Sequence, residues 1–465
     1  MSQTHDNLAW LGAYPDHWQV LKLRQILRLF SEKNHPDMPL LSVVREKGVI
    51  VRNVEDKDEN HNYVPDDLSG YKLVRCGQFA MNKMKAWQGS YGISKYDGIV
   101  SPAYFVFDVN YDLNEDFFNC AIRSKAYIGY FAQASDGIRV GQWDLSMKRM
   151  REIPFIIPPR EEQDQIVRFL DWKVSSINRL ISNYRHQIAL LDEMKQRRID
   201  EAVIKGMRKS DLIHNDDIRW DIDYPEHWRI QRIRESFSFR KGLSITKANL
   251  EETGIAVISY GQVHSKKNSG VGLNEELIRY VNESYLTTNK RCLVEKGDFI
   301  FADTSEDVTG CGNCAYIDWD DTIFAGYHSI IAHPDGSTNN KYLAYLFKSP
   351  TWRYQIRKKV NGVKVYSITQ KMLKDVFVLI PPADEQEEII SHLDKVCAKI
   401  DAAIKKMEEK IANLQDLKIC LVADVVTGKI DVRGIEIPEY EFVDEDADGD
   451  AEDADGEEET EKQED

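Results

Sequence analysis

The chain repeats itself, and that repeat limits what it can fold into more than any other feature. Tyr14, Pro15, Asp16, His17 and Trp18 return as Tyr224, Pro225, Glu226, His227 and Trp228, 210 positions later. Residues 157–171 (IPPREEQDQIVRFLD) return as 380–394 (IPPADEQEEIISHLD), 223 positions later, so the second half is 13 residues longer internally. Between these markers the match is patchier: Gly77, Gln78 and Phe79 answer Gly297, Asp298 and Phe299, and 137–140 resembles 362–365. A chain of 465 residues is roughly three times a typical domain. With a duplicated pattern, two similar units are expected in place of one large core.

Each half has two parts. Residues 15–157 and 225–380 carry short apolar or aromatic runs, such as 104–109, 255–260 and 329–332, broken by Gly, Asn and Asp. These predict strand-rich, mixed α/β globules. After each Pro-Pro comes an acidic stretch suited to a helix first turn. Apolar residues then fall at Val167, Leu170, Val174, Ile177, Ile181, Tyr184, Ile188 and Leu191, with spacings alternating three and four. Ile390, Leu393, Cys397, Ile400, Ile404, Met407, Ile411 and Leu414 repeat the pattern. A narrow seam of period 3.5 suits a helix partner, and two such helices in one chain are natural mates. Antiparallel pairing would send the globules to opposite ends. The expected fold is α+β: two mixed α/β domains separated by two long helices in an antiparallel coiled coil, a pseudo-two-fold dumbbell. Its expected boundaries are 1–157 for the first domain, 158–206 for its helix, 207–219 for a linker, 220–380 for the second domain, 381–430 for the second helix and 431–465 for an acidic, disordered tail.

The net charge of −16 would argue against nucleic acid if it were spread evenly, but it is not. Residues 438–465 hold 16 acidic residues and one lysine, which leaves 60 basic and 61 acidic residues in 1–437. The acidity is terminal, and such a block is expected to be solvated and self-repelling. Seven cysteines, odd in number and thinly spread, fit reduced thiols in a cytoplasmic protein. No apolar stretch reaches the roughly 18 residues of a membrane span, and the first residues lack the features of a signal peptide.

The doubled order of motifs carries a resemblance. Pro15 to Trp18 and Pro225 to Trp228 each give Pro-x-x-Trp. Pro158, Pro159, Glu162 and Gln163, then Pro381, Pro382, Glu385 and Gln386, each give Pro-Pro-x-x-Glu-Gln ahead of the heptads. In these residues, and over nearly its whole length, the chain resembles the specificity subunits of type I restriction-modification systems. The second domain adds Lys241, Gly242, Leu243 and Ser244 and the stretch 258–263 (ISYGQV); the first departs from this with 98–107 (GIVSPAYFVF). The resemblance implies two target recognition domains that read different sequences of double-stranded DNA, an asymmetric bipartite site. It implies a non-catalytic scaffold for two methyltransferase subunits and the restriction/translocase subunits. No cofactor is then expected on this chain, with S-adenosylmethionine, ATP and Mg on the partners. A heptad block of about 25 residues would span roughly 37 Å, close to one turn of B-DNA. The rival expectations are a self-contained nuclease or methyltransferase with a duplicated recognition region, and a coiled-coil protein adaptor.

Basic segments with nearby aromatics are the candidates for DNA contact, because phosphates set affinity and planar donors read bases. In the first domain they are Lys83, Lys85, Trp87, Lys95, Tyr96 and Arg139; in the second, Lys241, Lys247, Lys266, Lys267 and Lys364. Three weaker patterns are set aside. Cys311 and Cys314 have the spacing of a zinc or redox pair but no second pair at ribbon spacing. Pro36, Asp37, Glu55 and Lys57 resemble a PD-ExK constellation, a permissive pattern not repeated in the second half. Gly428 and Lys429 lack the upstream glycine of a phosphate loop. No metal site is expected.

Overall fold

Two helices far longer than the heptad block dominate the chain: Arg160–Lys205, of 46 residues, and Ala383–Val426, of 44. The structure is a computed structural model and describes residues 14–45, 47–52, 65, 67–139, 142–215, 220–362 and 365–444. It divides into two units. One takes the described residues up to Arg185 and from Glu408 onward, the other His186–Met407. Each unit is therefore one head with the first part of its own helix and the last part of the other.

In the first unit, strand Gln19–Lys22 pairs antiparallel with the returning strand Pro154–Ile157, so the head opens and closes at one place. Between them lies a four-stranded antiparallel sheet in the order Leu27–Phe30, Phe105–Val109, Phe79–Met81, Tyr91–Ile93. The stretch 98–107 folds as a strand, a turn and the start of this sheet's Phe105–Val109. Helices Glu115–Ile122 and Lys125–Gln133 cover the sheet. Asn114 caps the first by accepting from the Phe117 amide at 3.0 Å, which satisfies one of the orphan donors at a helix start. Phe79, Phe117, Phe118, Phe131 and Phe155 are fully buried at the centre.

The second unit repeats the plan. Arg229–Arg232 pairs with Phe377–Ile380, and the four-stranded sheet runs Phe237–Lys241, Ser329–Pro334, Phe299–Ala302, Cys314–Tyr316. Helix Asn340–Lys348 is capped by Asn339, and Pro350–Arg357 by Ser349. The basic run at 352 therefore begins as a helix. The second head also carries a five-stranded sheet, Leu250–Glu251, Arg279–Val281, Ile255–Ile258, Ile323–Ala325, Leu293–Val294. Outside its main sheet and the Gln19–Lys22 with Pro154–Ile157 pair, the described residues of the first head form the short pairs Leu41–Val44 with Gly48–Val51, Lys72–Val74 with Gly98–Val100 and Ser135–Arg139 with Gln142–Leu145. The middles of the two heads have diverged, as their sequences suggest.

None of the sixteen seam residues is exposed. Within the first unit, Lys418 donates to Asn178 at 3.4 Å and Lys410 stands 5.2 Å over the Tyr184 ring. Rising numbers on one helix meet falling numbers on the other, so the segments run antiparallel. In the second unit Lys195 pairs with Asp401. The seam is not devoted to helix pairing alone. Leu170 joins Ile166 and Phe169 in the first head's core, and Leu393 and Cys397 join Ile389 in the second's. The far ends of the helices do likewise: Ile199, Ala202, Val203 and Ile204 lie in the second core, Val425 and Val426 in the first. A period of 3.5 marks a buried stripe and says nothing of which neighbour buries it.

The tail boundary also moves. Residues 431–444, expected to be disordered, lie along the first long helix. Val432 is 3% exposed, Gln165 donates to the Val432 and Ile435 carbonyls, and Asn178 donates to the Val443 carbonyl. Ser175 donates to the Glu441 carbonyl and accepts from the Val443 amide. Residues 445–465 lie outside the described residues.

Candidate nucleic-acid interface

The doubled motifs build a joint between each head and the helices. In the first unit Trp18 Nε1 donates to Glu162 at 2.9 Å and His17 Nε2 lies 2.7 Å from the other carboxylate oxygen. In the second, Trp228 Nε1 donates to Glu385 at 3.1 Å and His227 Nε2 lies at 2.7 Å. Gln163 donates to the Pro158 carbonyl and accepts from the Asn114 amide; Gln386 does the same with Pro381 and Asn339. The Glu and Gln of the motif thus tie the helix start to the opening of the head and to the cap of its covering helix. The other helix ends in the same joint. Gly428 closes the second long helix at φ +76°, and a Cβ there would stand 2.4 Å from Pro15 and 2.9 Å from Trp18. Gly206 closes the first at φ +74°, with Trp228 2.8 Å from such a Cβ. Only glycine meets both demands, the left-handed cap and the indole against it. Gly428 and Lys429 are a helix cap.

Four of the first head's candidates gather beside one hairpin, Ser135–Arg139 with Gln142–Leu145. Lys83 pairs with Asp144 at 3.1 Å, its carbonyl accepts from the Leu145 amide, and the Trp87 ring lies 5.0 Å from that of Trp143. Lys85 is exposed on the same turn, and Arg139 ends the hairpin's first strand. Lys95 and Tyr96 belong elsewhere, on the exposed turn between strands Tyr91–Ile93 and Gly98–Val100.

The second head uses the equivalent corner, after strand Phe299–Ala302 and after the covering helices. There Thr304–Ser305 pairs with Tyr366–Ser367. Lys241 ends strand Phe237–Lys241 opposite Ile330, close to the Tyr327–His328 turn. Lys266 and Lys267 are exposed just beyond the short helix Tyr260–His264, and Lys267 pairs with Glu276 at 2.5 Å. Lys247 lies in the turn leading to the five-stranded sheet. Lys364 lies outside the described residues.

Charge density missed what fills this corner. An open cavity of about 490 Å³ is lined by Tyr260, His264, Glu306, Asp307, Asn313 and Arg353 among others. His264 Nε2 lies 2.8 Å from the Thr304 carbonyl. Arg353 donates to Asn313 and, at 2.8 Å, to the Phe347 carbonyl; its burial disfavours the charged form. Hydrogen bonds from Thr309 and the Gly310 amide hold the Asp307 carboxyl below its usual range. These residues come from separate stretches, 260–264, 304–310, 313 and 347–353, so no local pattern reveals them. The one available signal is the match of Gly77–Phe79 to Gly297–Phe299, which sets 303–307 opposite the Lys83 turn.

Cys311 and Cys314 are buried in the second core, and burial pushes the Cys314 thiol up to about 12, unlike a reactive or metal-binding thiolate. Glu55 and Lys57 lie outside the described residues. Among the described residues no cluster of three or more His, Cys, Asp or Glu is placed to hold a metal, and no helix is long and apolar enough to cross a membrane.

Comparison with known proteins places the chain in a class. The model of the type I restriction modification DNA specificity domain matches residues 15–188 and again 225–413. The chain belongs to that family and carries the domain twice. Each match takes in one head and part of the long helix that follows it. It is 22% identical over 297 residues to the MjaVIII specificity subunit of Methanocaldococcus jannaschii, covering 62% of this chain and 64% of that one. It is 23% identical to the EcoKI specificity subunit of Escherichia coli, covering 80% of this chain and 76% of that one. The chain thus spans just under two thirds of the first of these relatives. The fold is shared with a chain from a structure on complex assembly and conformational transition of the type I R-M system. That match has TM-score 0.60 and 15% identity, covering 90% of this chain and 100% of that one.

Proposed function

We propose that this chain binds double-stranded DNA at an asymmetric, two-part site, one part per head, and serves as the non-catalytic scaffold of a type I restriction-modification complex. One observation carries the two-part site. The heads share their framework down to the Trp–Glu joint, yet at the equivalent corner one presents Lys83, Lys85, Trp87 and Trp143 and the other Tyr260, Glu306, Tyr327 and His328. A common frame with unlike reading surfaces suits two unlike half-sites. Lys83, Lys85, Trp87, Arg139, Lys241, Lys266 and Lys267 are the DNA-contacting residues at these corners.

The two helices present repeated surfaces to partners, which supports two methyltransferase subunits per chain, with restriction/translocase subunits joining through them. S-adenosylmethionine, ATP and Mg belong on those partners, and the chain works in the cytoplasm, where its DNA is. The relatives' names support this assignment. The test is binding of the full chain to duplex DNA, together with mass measurement after addition of methyltransferase subunits. Affinity should fall steeply as salt rises, and the complex should hold two methyltransferases. Salt-independent or absent DNA binding would leave a protein adaptor as the better description.

A further inference from the structure

We infer that the Tyr327–His328 turn is the base-reading element of the second head, and that His328 accepts a hydrogen bond from an exocyclic amino group of cytosine or adenine in the major groove. The inference rests on the DNA-reading function proposed above and names the residue and the chemical group through which it works.

His328 is one of two non-glycine residues with positive φ among those described, at +51°. Such a conformation is strained for a residue with a side chain and persists only where the surroundings enforce it. Here they do. The Asp303 amide donates to the His328 carbonyl at 3.0 Å and the Tyr260 amide to the Tyr327 carbonyl at 3.3 Å. The Tyr260 ring stands edge-on to Tyr327 at 5.6 Å and to His328 at 5.5 Å. The strain is not spent on packing, because the imidazole is 58% exposed. It is spent on aiming the ring outward.

The ring is also held in one sense. Nδ1 lies 3.2 Å from Asp303 Oδ1 and 3.3 Å from Thr304 Oγ1, which itself donates to the same carboxylate at 2.8 Å. A carboxylate at Nδ1 keeps the proton there, so in the neutral ring Nε2 presents a lone pair. In the major groove the donors are cytosine N4 and adenine N6. The setting favours them over phosphate, since Glu306 and Asp307 line the neighbouring cavity. Arg353, the side chain there that could address guanine, is occupied by Asn313 and the Phe347 carbonyl. Lys241, opposite Ile330, stands beside the turn, and Lys266 and Lys267 follow the helix whose Tyr260 packs on it, for the backbone.

Because every base pair carries one such amino group, the test must remove that group alone. In the half-site of the second head, each adenine is replaced by purine and each cytosine by 2-pyrimidinone, and binding of the full chain is compared with that of His328→Gly. The glycine variant removes the ring and relaxes the turn, so it should fold. At one position the missing amino group should weaken the wild type about 10-fold, the worth of roughly one hydrogen bond, and leave His328→Gly unchanged. The salt dependence should be the same for both, whereas Lys267→Ala should weaken all sequences and flatten it. Equal losses for wild type and His328→Gly at every position would overturn the inference. A wild type with no sequence preference at all would overturn the proposed function, and this inference with it.

Discussion

Replacing Glu385 by alanine should loosen the second head's joint far more than Glu162→Ala loosens the first. The Glu385 side chain is 5% exposed and meets Trp228, His227 and Arg208. Its loss strands the Trp228 N–H, which is buried, at a cost of about 1–3 kcal/mol. The cavity and the imidazole left without its partner add to this, for a total of about 3 kcal/mol. Arg208 adds little, because it keeps Asp384 and Glu388. Glu162 is 16% exposed, so water can replace part of what it supplies, and about 1–2 kcal/mol is expected there. Glu385→Gln keeps an acceptor for Trp228 and should cost about 1 kcal/mol. Hydrogen exchange measures this directly. Amides of 224–232 and 383–390 should open on the order of 100-fold more often in Glu385→Ala, at 1.4 kcal/mol per factor of ten, while 14–22 and 160–166 stay near wild type. An increase below threefold in the second joint would show that the Trp–Glu contact does not hold head to helix.

Further outcomes are expected. Ile177→Asp and Ile400→Asp place a carboxylate at positions 7% and 6% exposed, so each should cost several kcal/mol and lower the denaturation midpoint of its own unit; an unchanged midpoint would remove these residues from the seam. Removing 445–465 should leave folding intact and DNA association unchanged or faster, whereas removing 429–465 should destabilise the first unit by exposing the groups that hold Val432 and Val443, as melting curves would show. Lys348 is pushed down to about 8, first by burial and then by the charges of Lys195 and Arg353. A lysine lowered in the folded state leaves the unfolded chain with more bound protons above that value, so its contribution to stability rises from about pH 8 towards 10.5. The wild type should therefore gain on Lys348→Met over that range in urea denaturation, and parallel curves would refute the shift.

Much of the architecture was legible because duplication writes it twice. The repeated Pro-x-x-Trp and Pro-Pro-x-x-Glu-Gln mark where the head opens and the helix begins, and a stripe of period 3.5 is visible wherever one face is buried. What the stripe faces is a tertiary matter, which is why Leu170 and Leu393 serve a head core as well. The helices run close to their expected bounds, Arg160–Lys205 and Ala383–Val426, but what their far ends cover is not in the heptads: Ile199 to Ile204 and Val425–Val426 pack on heads by a broader face, with no 3.5 period to announce it. The sequence made Gly428 a failed phosphate loop, since the indole of Trp18 against it comes from the far end of the chain. Lysine density picks out residues beside both corners together with others that lie elsewhere, and it does not pick out Asp303, Tyr260 and His328, which are assembled from separate loops and become a group only when the sheet is closed.

The most direct measurement is selection of bound duplexes from a fully randomised library by the full chain assembled with its methyltransferase subunits. Two short defined blocks of unlike sequence, separated by a spacer of fixed length and free composition, are the expected result, and exchanging residues 225–380 for another second head should change one block only. A single contiguous site, or enrichment of no sequence at all, would contradict a chain that reads DNA with two independent heads.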